Sequence, residues 1–375
     1  MSFVSGARLV TDNINDHKED LRDALDWLSP KQDGIAFLKK IGLRGFTFSN
    51  PKFEYTEDEL APRRQIVQSI DSAVTEIPVN DSTHIPVDSL MRLGEEVMLV
   101  TGKVDAAHIT VVRGYGISHA FPHTSQSLIR LGTARPENSD PLDGVSSNAV
   151  KLYNYQQMFE RNVEMSNDEY DQLSTAGNML SHQMKMRMVE IMQELSASLW
   201  YGVRDAVVIS DKIRYSMGGI NQFLSSNVVN AGGGLSIPLI DARIKAIVDA
   251  GSNPNCIVLG TTQKMKLDAL DNSKQFLTKS EHTGGGLITT QYQCGVTDDT
   301  LEVIVDHTLN PDEVYILDTN KIKVGYKVGK NGHRGFKQED VTPIGRDGVK
   351  FAIRGKYSVR VDFEKGLAKL YGLTT

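Results

Sequence analysis

Few side chains in this sequence have the types and spacing of a chemical site. His119 and His123 stand four residues apart, but Pro122 lies between them and no cysteine or third ligand is near. Proline is incompatible with a helix face there, and a zinc site needs three or four ligands. We therefore expect a solvated loop, with metal binding as the alternative. The string GYGISH lacks the third glycine of a dinucleotide fingerprint, and neither GGG run precedes Lys-Ser or Lys-Thr as in a phosphate loop.

The sulfur-containing residues also point away from catalysis. Cys256 and Cys294 have no CxxC spacing, and we expect two free thiols in a chain made in the cytosol. Five methionines between residues 179 and 192 are more typical of a core or a subunit contact than of a cofactor site. No constellation of nucleophile, base and metal is recognisable. The sequence therefore predicts a protein that is not an enzyme and has no cofactor or bound metal.

Composition and charge narrow the class of protein. The chain has 375 residues, of which 40% are hydrophobic and 23% charged, as in folded proteins of two or three domains. Its formal net charge of -6 argues against a protein whose main task is to hold nucleic acid. No apolar stretch is long enough to span a membrane, and the first residues lack the features of a secretion signal.

One long helix is the clearest predicted element. Apolar residues recur every three or four positions over residues 179–201 and form one stripe, which comprises Leu180, Met184, Met188, Ile191, Leu195 and Leu199. At 1.5 Å per residue such a helix is about 34 Å long. We expect it to bury one face and to end at Gly202.

Two extended stretches precede this helix. Residues 49–77 and 145–166 both read as extended limbs, and the hairpin pattern of VMLVTGKV and HITVVRG, turning at Asp105 to Ala107, lies between them. A limb of this length reaches about 70–95 Å at 3.3 Å per residue. We expect the limbs to project and to lie on another copy of the chain. The arm that precedes them contains LRDALDWL, an amphipathic stretch that also needs a partner surface.

An α/β unit and a series of strands follow the helix. Ser236 and Pro238 open a predicted helix, Gly251 ends it, and the buried strand CIVLG leads to a second helix capped by Thr261 or Thr262. Alternation then predicts the strands VYILD and KIKVGYKV, and the chain closes on a half-exposed antiparallel hairpin that turns at Lys365 and Gly366.

The lysine-rich strand is open to three interpretations. Lys321, Lys323 and Lys327 alternate with apolar residues, and no acidic residue occurs between Thr319 and Gln338. They could protect an edge strand from aggregation, contact an acidic arm of a neighbouring chain, or contact DNA. Arg63 and Arg64, beside Pro62, could similarly pair across subunits or be solvated.

Six strings, in one order, resemble landmarks of a known family. They are NPKFEYTEDELAPRR, NYQQMFERNVEMS, the long helix, DAGSNPNCIVLGTTQKMKL, VYILDTNKIKVGYK and GKYSVRVDFEKGLAKLYGL. Together they resemble the major capsid proteins of tailed double-stranded DNA bacteriophages typified by phage SU-ten, a branch of the Hong Kong 97 capsid fold. The resemblance covers nearly the whole chain. The polar segment 78–144 and the glycine-rich SEHTGGGLITT loop depart from the family pattern.

The resemblance implies an α+β capsid fold with defined domains. These are an N-terminal arm at 1–48, limbs of an extended E-loop at 49–77 and 139–166, and a β-rich insertion at 78–138. A peripheral domain with the long spine helix would comprise 167–216 and 319–375, and an axial domain 217–318. The chain would self-assemble as pentamers and hexamers into an icosahedral virion shell around DNA, with portal, scaffolding and decoration proteins as further partners and no membrane.

The predicted subunit contacts lie on the arm, the limbs and the lysine-rich strand. They are Leu25, Trp27, Leu28, Phe53, Tyr55, Arg63, Arg64, Tyr153, Tyr155, Phe159, Arg161, Lys321, Lys323 and Lys327. Three alternatives stay open at this point: a soluble enzyme that uses the α/β unit, another phage structural protein such as a tail tube subunit, and an encapsulin-like compartment of the same fold.

Overall fold

The chain divides into two compact units. A computed structural model describes residues 34–58, 64–140, 149–171, 179–270, 275–279, 288–297, 299–329 and 335–375. The body unit comprises Met1–Tyr55 and Tyr153–Thr375, and the insertion unit comprises Thr56–Leu152. Leu25, Trp27, Leu28 and Arg63 lie outside the described residues, as does the amphipathic LRDALDWL stretch.

The described α-helices all belong to the body unit. They are α1 Ala36–Ile41, α2 Asn167–Asp171, α3 Met179–Tyr201, α4 Ile220–Phe223, α5 Ile237–Asp249 and α6 Thr261–Ala269. The strands up to the end of the insertion unit are β1 Phe46–Phe48, β2 Lys52–Glu57, β3 Arg64–Val67, β4 Glu76–Pro78, β5 Ser89–Leu93, β6 Glu96–Asp105, β7 His108–Val112, β8 Gln126–Thr133 and β9 Val150–Tyr155. The later strands are β10 Gln157–Met165, β11 Asp205–Ile209, β12 Lys212–Ser216, β13 Val228–Asn230, β14 Cys256–Leu259, β15 Gln275–Lys279, β16 Ile288–Gln293, β17 Thr300–Val305, β18 Val314–Leu317, β19 Ile322–Lys327, β20 Lys337–Asp340, β21 Val349–Val361 and β22 Leu367–Tyr371.

Helix α3 confirms the prediction of a long helix over residues 179–201. The second half of its apolar stripe, Ile191, Leu195 and Leu199, is fully buried in the core of the body unit. Helix α3 ends before Gly202, as predicted, and no side chain fits at this position. A Cβ atom at this position would lie 2.4 Å from the carbonyl oxygen of Ser198 and 2.5 Å from that of Met217.

A five-stranded sheet packs against α3. Its strand order is β1-β19-β21-β10, with β20 as an additional partner of β21. Strand β19 lies between β1 and β21, so the interpretation of Lys321, Lys323 and Lys327 as guards of an edge strand is wrong. The sequence could not reveal this because β1 is only three residues long and pairs in parallel from a position about 280 residues earlier.

A second, seven-stranded sheet has the order β13-β22-β18-β14-β17-β16-β15. Its two central strands, β14 and β18, are buried at every position, as expected for continuous apolar runs. Strand β22 pairs with β13 and β18 in this sheet, whereas β21 belongs to the five-stranded sheet. The predicted terminal hairpin is therefore wrong, and residues 319–375 divide between the two sheets.

Helix α5 packs its apolar face beside the seven-stranded sheet. It begins after Ser236 and has Pro238 in its first turn, as the sequence predicts, and it buries Ile240, Ile244 and Ile247. Helix α6 begins one residue earlier than expected. Its N-cap is Gly260, and neither predicted threonine caps it.

The insertion unit is built on a six-stranded sheet of order β3-β8-β5-β6-β7-β4. The predicted hairpin is confirmed as β6 and β7, and Asp105 accepts a hydrogen bond from the amide of Ala107 in its turn (2.7 Å). Residues 64–77 are predicted as part of the outgoing limb, but they lie in this unit, and Val67 and Ile77 are fully buried in its core.

Two small ribbons complete the described structure. Strands β2 and β9 pair as a two-stranded sheet, and the division between the units falls within both strands. Strands β11 and β12 form an antiparallel hairpin directly after α3. Its turn residues, Ser210 and Asp211, both have positive φ angles (52° and 59°), as a two-residue hairpin loop of type I′ requires.

Candidate assembly surfaces

Chemical groups do not converge into a catalytic or metal site in the part of the chain that the structure describes. No group of three His, Cys, Asp or Glu side chains there could hold a metal ion. His119 is exposed as expected, but His123 is buried and contacts Glu96 (2.9 Å), so a solvated loop describes only the first of them. Cys256 and Cys294 are free and buried, and burial raises the pKa of the Cys256 thiol well above its usual value. None of the described helices is long and apolar enough to cross a membrane.

Asn154 anchors the end of β9 inside the body unit. Its amide nitrogen donates to the carbonyl oxygens of Gly218 (3.0 Å) and Val359 (2.7 Å). Its amide oxygen accepts from the backbone N–H groups of Gly218 (2.8 Å) and Tyr155 (2.8 Å). The side chain is fully buried and uses all of its hydrogen-bonding capacity. The root of the β2–β9 ribbon is therefore held in one position on the body unit.

Aromatic residues surround this root. Phe53 packs against Phe46 and Phe48, with ring centroids 5.1 and 5.3 Å apart. The buried Tyr55 lies beside Phe53, and its hydroxyl donates to the carbonyl oxygen of Val361 (2.9 Å). The predicted contact residues Phe53 and Tyr55 thus belong to a cluster within their own subunit.

Tyr153 and Tyr155 lie on the other strand of the root. The Arg204 guanidinium stacks 4.1 Å from the centre of the Tyr153 ring, and Lys52 lies over the same ring at 4.5 Å. Tyr155 contacts Tyr153 and Tyr215, each at 5.7 Å between ring centroids. Both tyrosines are partly exposed, so each keeps surface that a neighbouring chain could contact.

Strand β10 brings two further predicted residues to α3. Phe159 is buried in the core of the body unit, so its ring contributes to folding. Arg161 is exposed and forms ion pairs with Glu190 (3.6 Å) and Glu194, both on α3. Such exposed pairs usually contribute less than about 1 kcal/mol to stability.

The three lysines of the β19 region have different surroundings. Lys323 pairs with Asp362 (3.0 Å), and Lys321 lies 5.9 Å from the centre of the Phe363 ring. Burial and the neighbouring Lys356 charge lower the pKa of Lys327. Arg64 lies in β3, and its side chain is outside the described residues.

The β11–β12 hairpin exposes apolar side chains that are not among the predicted contact residues. Val208 and Ile213 face each other in the ladder and are 63% and 55% exposed. Val207 and Ile209 are also exposed. A two-stranded hairpin is only marginally stable alone, and contiguous exposed apolar surface marks interaction sites. The apolar run AVVI, shortly after the predicted helix, is the sequence feature that could have revealed this surface.

Comparisons with known proteins agree with this architecture. The capsid of a native GTA particle is similar with a TM-score of 0.52 and 9% identity, over 97% of this chain and 98% of that chain. The structure described as Mycobacterium phage Adephagia has a TM-score of 0.50 at 6% identity, over 99% of both chains. For Mycobacterium phage Bobi the values are 0.50 and 8%, over 97% of this chain and 98% of that chain. These likenesses show the Hong Kong 97-type capsid fold.

No curated protein matches the sequence. The family described as SU10 major capsid protein matches residues 4–374, which confirms the resemblance inferred from the six sequence landmarks. The chain therefore belongs to the SU10 major capsid protein family, and it is a major capsid protein that forms an icosahedral shell.

Proposed function

We propose that this shell is the head of a tailed phage, that it consists of pentamers and hexamers of this chain, and that it encloses double-stranded DNA. The protein acts as a building block and catalyses no reaction. It is made in the bacterial host cytoplasm and ends in the virion. Portal and scaffolding proteins, with or without a decoration protein, are its further partners.

The exposed apolar surface of the β11–β12 hairpin is the main support for contact between copies of the chain. The exposed Val208 and Ile213 form one cross-strand pair, and burying such side chains against a neighbour contributes about 25 cal/mol for each Å² of apolar surface removed from water. A subunit that remained alone would leave this surface in water. In a self-assembling shell, another copy of the chain covers this surface.

We assign residues 1–48 to an N-terminal arm and the β2–β9 ribbon to the base of an E-loop that carries the insertion unit. The exposed parts of Tyr153 and Tyr155 and the side chains of Leu25, Trp27, Leu28, Arg63 and Arg64 contact neighbouring copies. Laying an arm or a ribbon over a neighbour resists internal pressure, because separation then requires stripping an ordered segment from its partner surface. Lys321 and Lys327 contact either an acidic arm or DNA.

The negative charge of the subunit suits a container for DNA. A formal net charge of -6 repels phosphate, so packaged DNA contacts the wall non-specifically at most and stays mobile.

The test is electron microscopy of the chain expressed with its scaffolding partner, comparing wild type with Val208→Asp. Because Val208 is exposed, the variant subunit should fold and melt like the wild type, yet it should form few or no closed shells. Val104→Asp, also at an exposed valine but in the insertion unit, is the matched control and should assemble. Normal shells from Val208→Asp would contradict the assigned contact. Wild-type shells that protect no DNA from nuclease in infected cells would contradict the head assignment.

A further inference from the structure

The six-stranded sheet of the insertion unit carries apolar side chains on both of its faces. Its inner face contributes to the core of the unit, where Met98, Val100 and Val111 are buried. Its outer face is built by aliphatic residues on five neighbouring strands, β3, β8, β5, β6 and β7. These residues are Ile66, Leu90, Val97, Leu99, Val112 and Ile129. An antiparallel sheet with one face in water normally alternates apolar and polar residues, so this outer face has the composition of a covered face.

The strand register joins these side chains into one surface. Leu99 has Leu90 as its ladder partner on one side and Val112 on the other, so an aliphatic row crosses three strands. Successive residues of a strand point to opposite faces of its sheet. Because Met98 and Val100 on either side of Leu99 are fully buried, the row with Leu99 lies on the outer face.

Water reaches both ends of the outer face. Ile66 in β3 is 65% exposed and Val112 in β7 is 51% exposed, whereas the four residues between them are partly buried. Contiguous exposed apolar surface marks interaction sites. The outer face is therefore a docking surface that the subunit itself leaves uncovered at its ends.

The charge on this surface permits contact with an identical surface. Arg92 has Val97 and Ile129 as its ladder partners, so it stands in the middle of the outer face. Its guanidinium turns towards the β5–β6 turn and donates to the carbonyl oxygen of Gly94 (2.8 Å) and to the Glu95 carboxylate (3.0 Å). The cation is thus neutralised within its own subunit, and two copies of the face can meet without bringing unpaired like charges together.

We propose that the outer face packs against the same face of the insertion unit of a second copy. Sheets stack face to face about 10 Å apart, and a two-fold pair uses the same patch on both partners. The shell is built from this chain, so an identical face is the apolar partner present in the largest number. This inference rests on the shell and not on its proposed contents.

The area of the face predicts a contact that depends on assembly. Five strands about 4.8 Å apart and five residues of about 3.3 Å each cover roughly 400 Å². Two such faces together give roughly 800 Å², which is less than the 1,200–2,000 Å² of typical stable interfaces. The pair is therefore weak between free subunits. In the shell, other contacts hold the copies side by side and raise their effective concentration.

The test is cysteine cross-linking of the full-length chain in assembled shells. The linker is a bismaleimide that spans about 10 Å, the separation of packed sheets. Cys256 and Cys294 are buried, so an introduced cysteine on the outer face supplies the accessible thiol. Leu99→Cys should give covalent dimers in shells and at least about tenfold fewer in dilute free subunits. Val112→Cys, at the exposed ladder neighbour, is used in the same way, so a folding defect of Leu99→Cys does not decide the result.

Gln126→Cys is the matched control for the position of the thiol. Gln126 is exposed in β8, and its ladder partner Val67 is buried in the core, so its side chain lies on the opposite face of the sheet. This variant should react with the linker and remain monomeric. Shells of Leu99→Cys and Val112→Cys without dimers would overturn the proposal, and so would equal dimer yields from Gln126→Cys.

A second substitution tests the apolar contact itself. Ile66→Asp, added to the Leu99→Cys chain, places a charge at the exposed end of the outer face. The dimer yield should fall about tenfold, because an aliphatic side chain leaves the contact and two like charges enter it. Val104→Asp, at an exposed valine in the bulged end of β6, should leave the yield unchanged. An unchanged yield in Ile66→Asp would overturn the proposal.

Other occupants of the outer face give different results. A separate protein on the face would protect the thiol in shells that contain it, and no dimers would form. A segment of the same chain would make the thiol unreactive towards a monofunctional maleimide in the free subunit. Either result overturns the proposal. Closed shells without these dimers would still agree with the contact assigned to the β11–β12 hairpin, so the two failures are distinguishable.

Discussion

Replacing Glu96 by glutamine should destabilise the insertion unit and leave the body unit unchanged. The Glu96 carboxylate is fully buried and accepts two hydrogen bonds from Arg113, at 2.7 and 2.8 Å. The N–H groups of Gly114 and Phe121 and the His123 ring complete its shell of partners. Arg113 also donates to backbone carbonyl oxygens of the segment 71–74, so the pair ties two loops to β6.

The expected loss follows from the pKa of Glu96. Burial acts to raise this pKa, but the hydrogen bonds from Arg113 and His123 outweigh burial and lower it from 4.5 to about 2. At 1.36 kcal/mol per pKa unit the ionised form gains about 3 kcal/mol. Glutamine removes that charge and leaves Arg113 buried without its counter-ion, a change that costs about 3–5 kcal/mol in other proteins.

The assay is amide hydrogen exchange in urea, read at β6 and β7 and, separately, at α3. With a urea slope of about 1–3 kcal/mol/M, the unfolding midpoint of the insertion unit should fall by about 1–3 M. Glu95→Gln is the matched control, because the neighbouring Glu95 is exposed and its ion pair with Arg92 lies at the surface. A Glu96→Gln midpoint within about 0.3 M of wild type, or an equal loss in Glu95→Gln, would refute the reasoning.

Three further outcomes test the same principles. Because the folded-state pKa of Glu96 is depressed, its stabilisation should be complete above pH 4.5 and should fall as the pH drops towards 2, and Glu96→Gln should lose this pH dependence. Asn154→Ala should lower the melting temperature, because each buried backbone group left unpaired at Gly218 or Val359 costs about 1–3 kcal/mol. Asn162→Ala, at an exposed site in β10, is the control and should leave the melting temperature unchanged. Gly202→Ala should cost about 1–3 kcal/mol through overlap with two carbonyl oxygens, whereas Gly233→Ala, with its nearest atom 4.0 Å away, should melt like wild type. Equal melting of either variant and its control would contradict the close contacts described.

Elements with a local cause could be predicted from the sequence. Helix α3 follows from an apolar stripe of helical period, and α5 follows from Ser236, Pro238 and its buried isoleucines. The β6–β7 hairpin follows from two alternating runs around a short turn. In each case the residues that specify the element are neighbours along the chain, so periodicity and capping suffice.

Pairing between distant segments could not be predicted in this way. β19 is an inner strand because β1 reaches it from the first fifty residues, and β22 leaves β21 for the other sheet although only five residues separate them. The pairing of strands depends on which faces are buried together in the whole fold. An alternating pattern predicts a strand but does not specify its partner strand. For the same reason, the sequence did not predict the buried hydrogen bonds of Asn154 or the buried ion pair of Glu96 with Arg113.

The sequence by itself determined the family, the α+β class, the long helix and the absence of a recognisable catalytic motif, because these depend on residue order and local periodicity. Only the tertiary structure decided which strands share a sheet, which charged groups are buried, and that Asn154 bonds Gly218 and Val359. The physical reason is distance along the chain. Asn154 and Val359, for example, stand 205 residues apart and meet only in the folded chain.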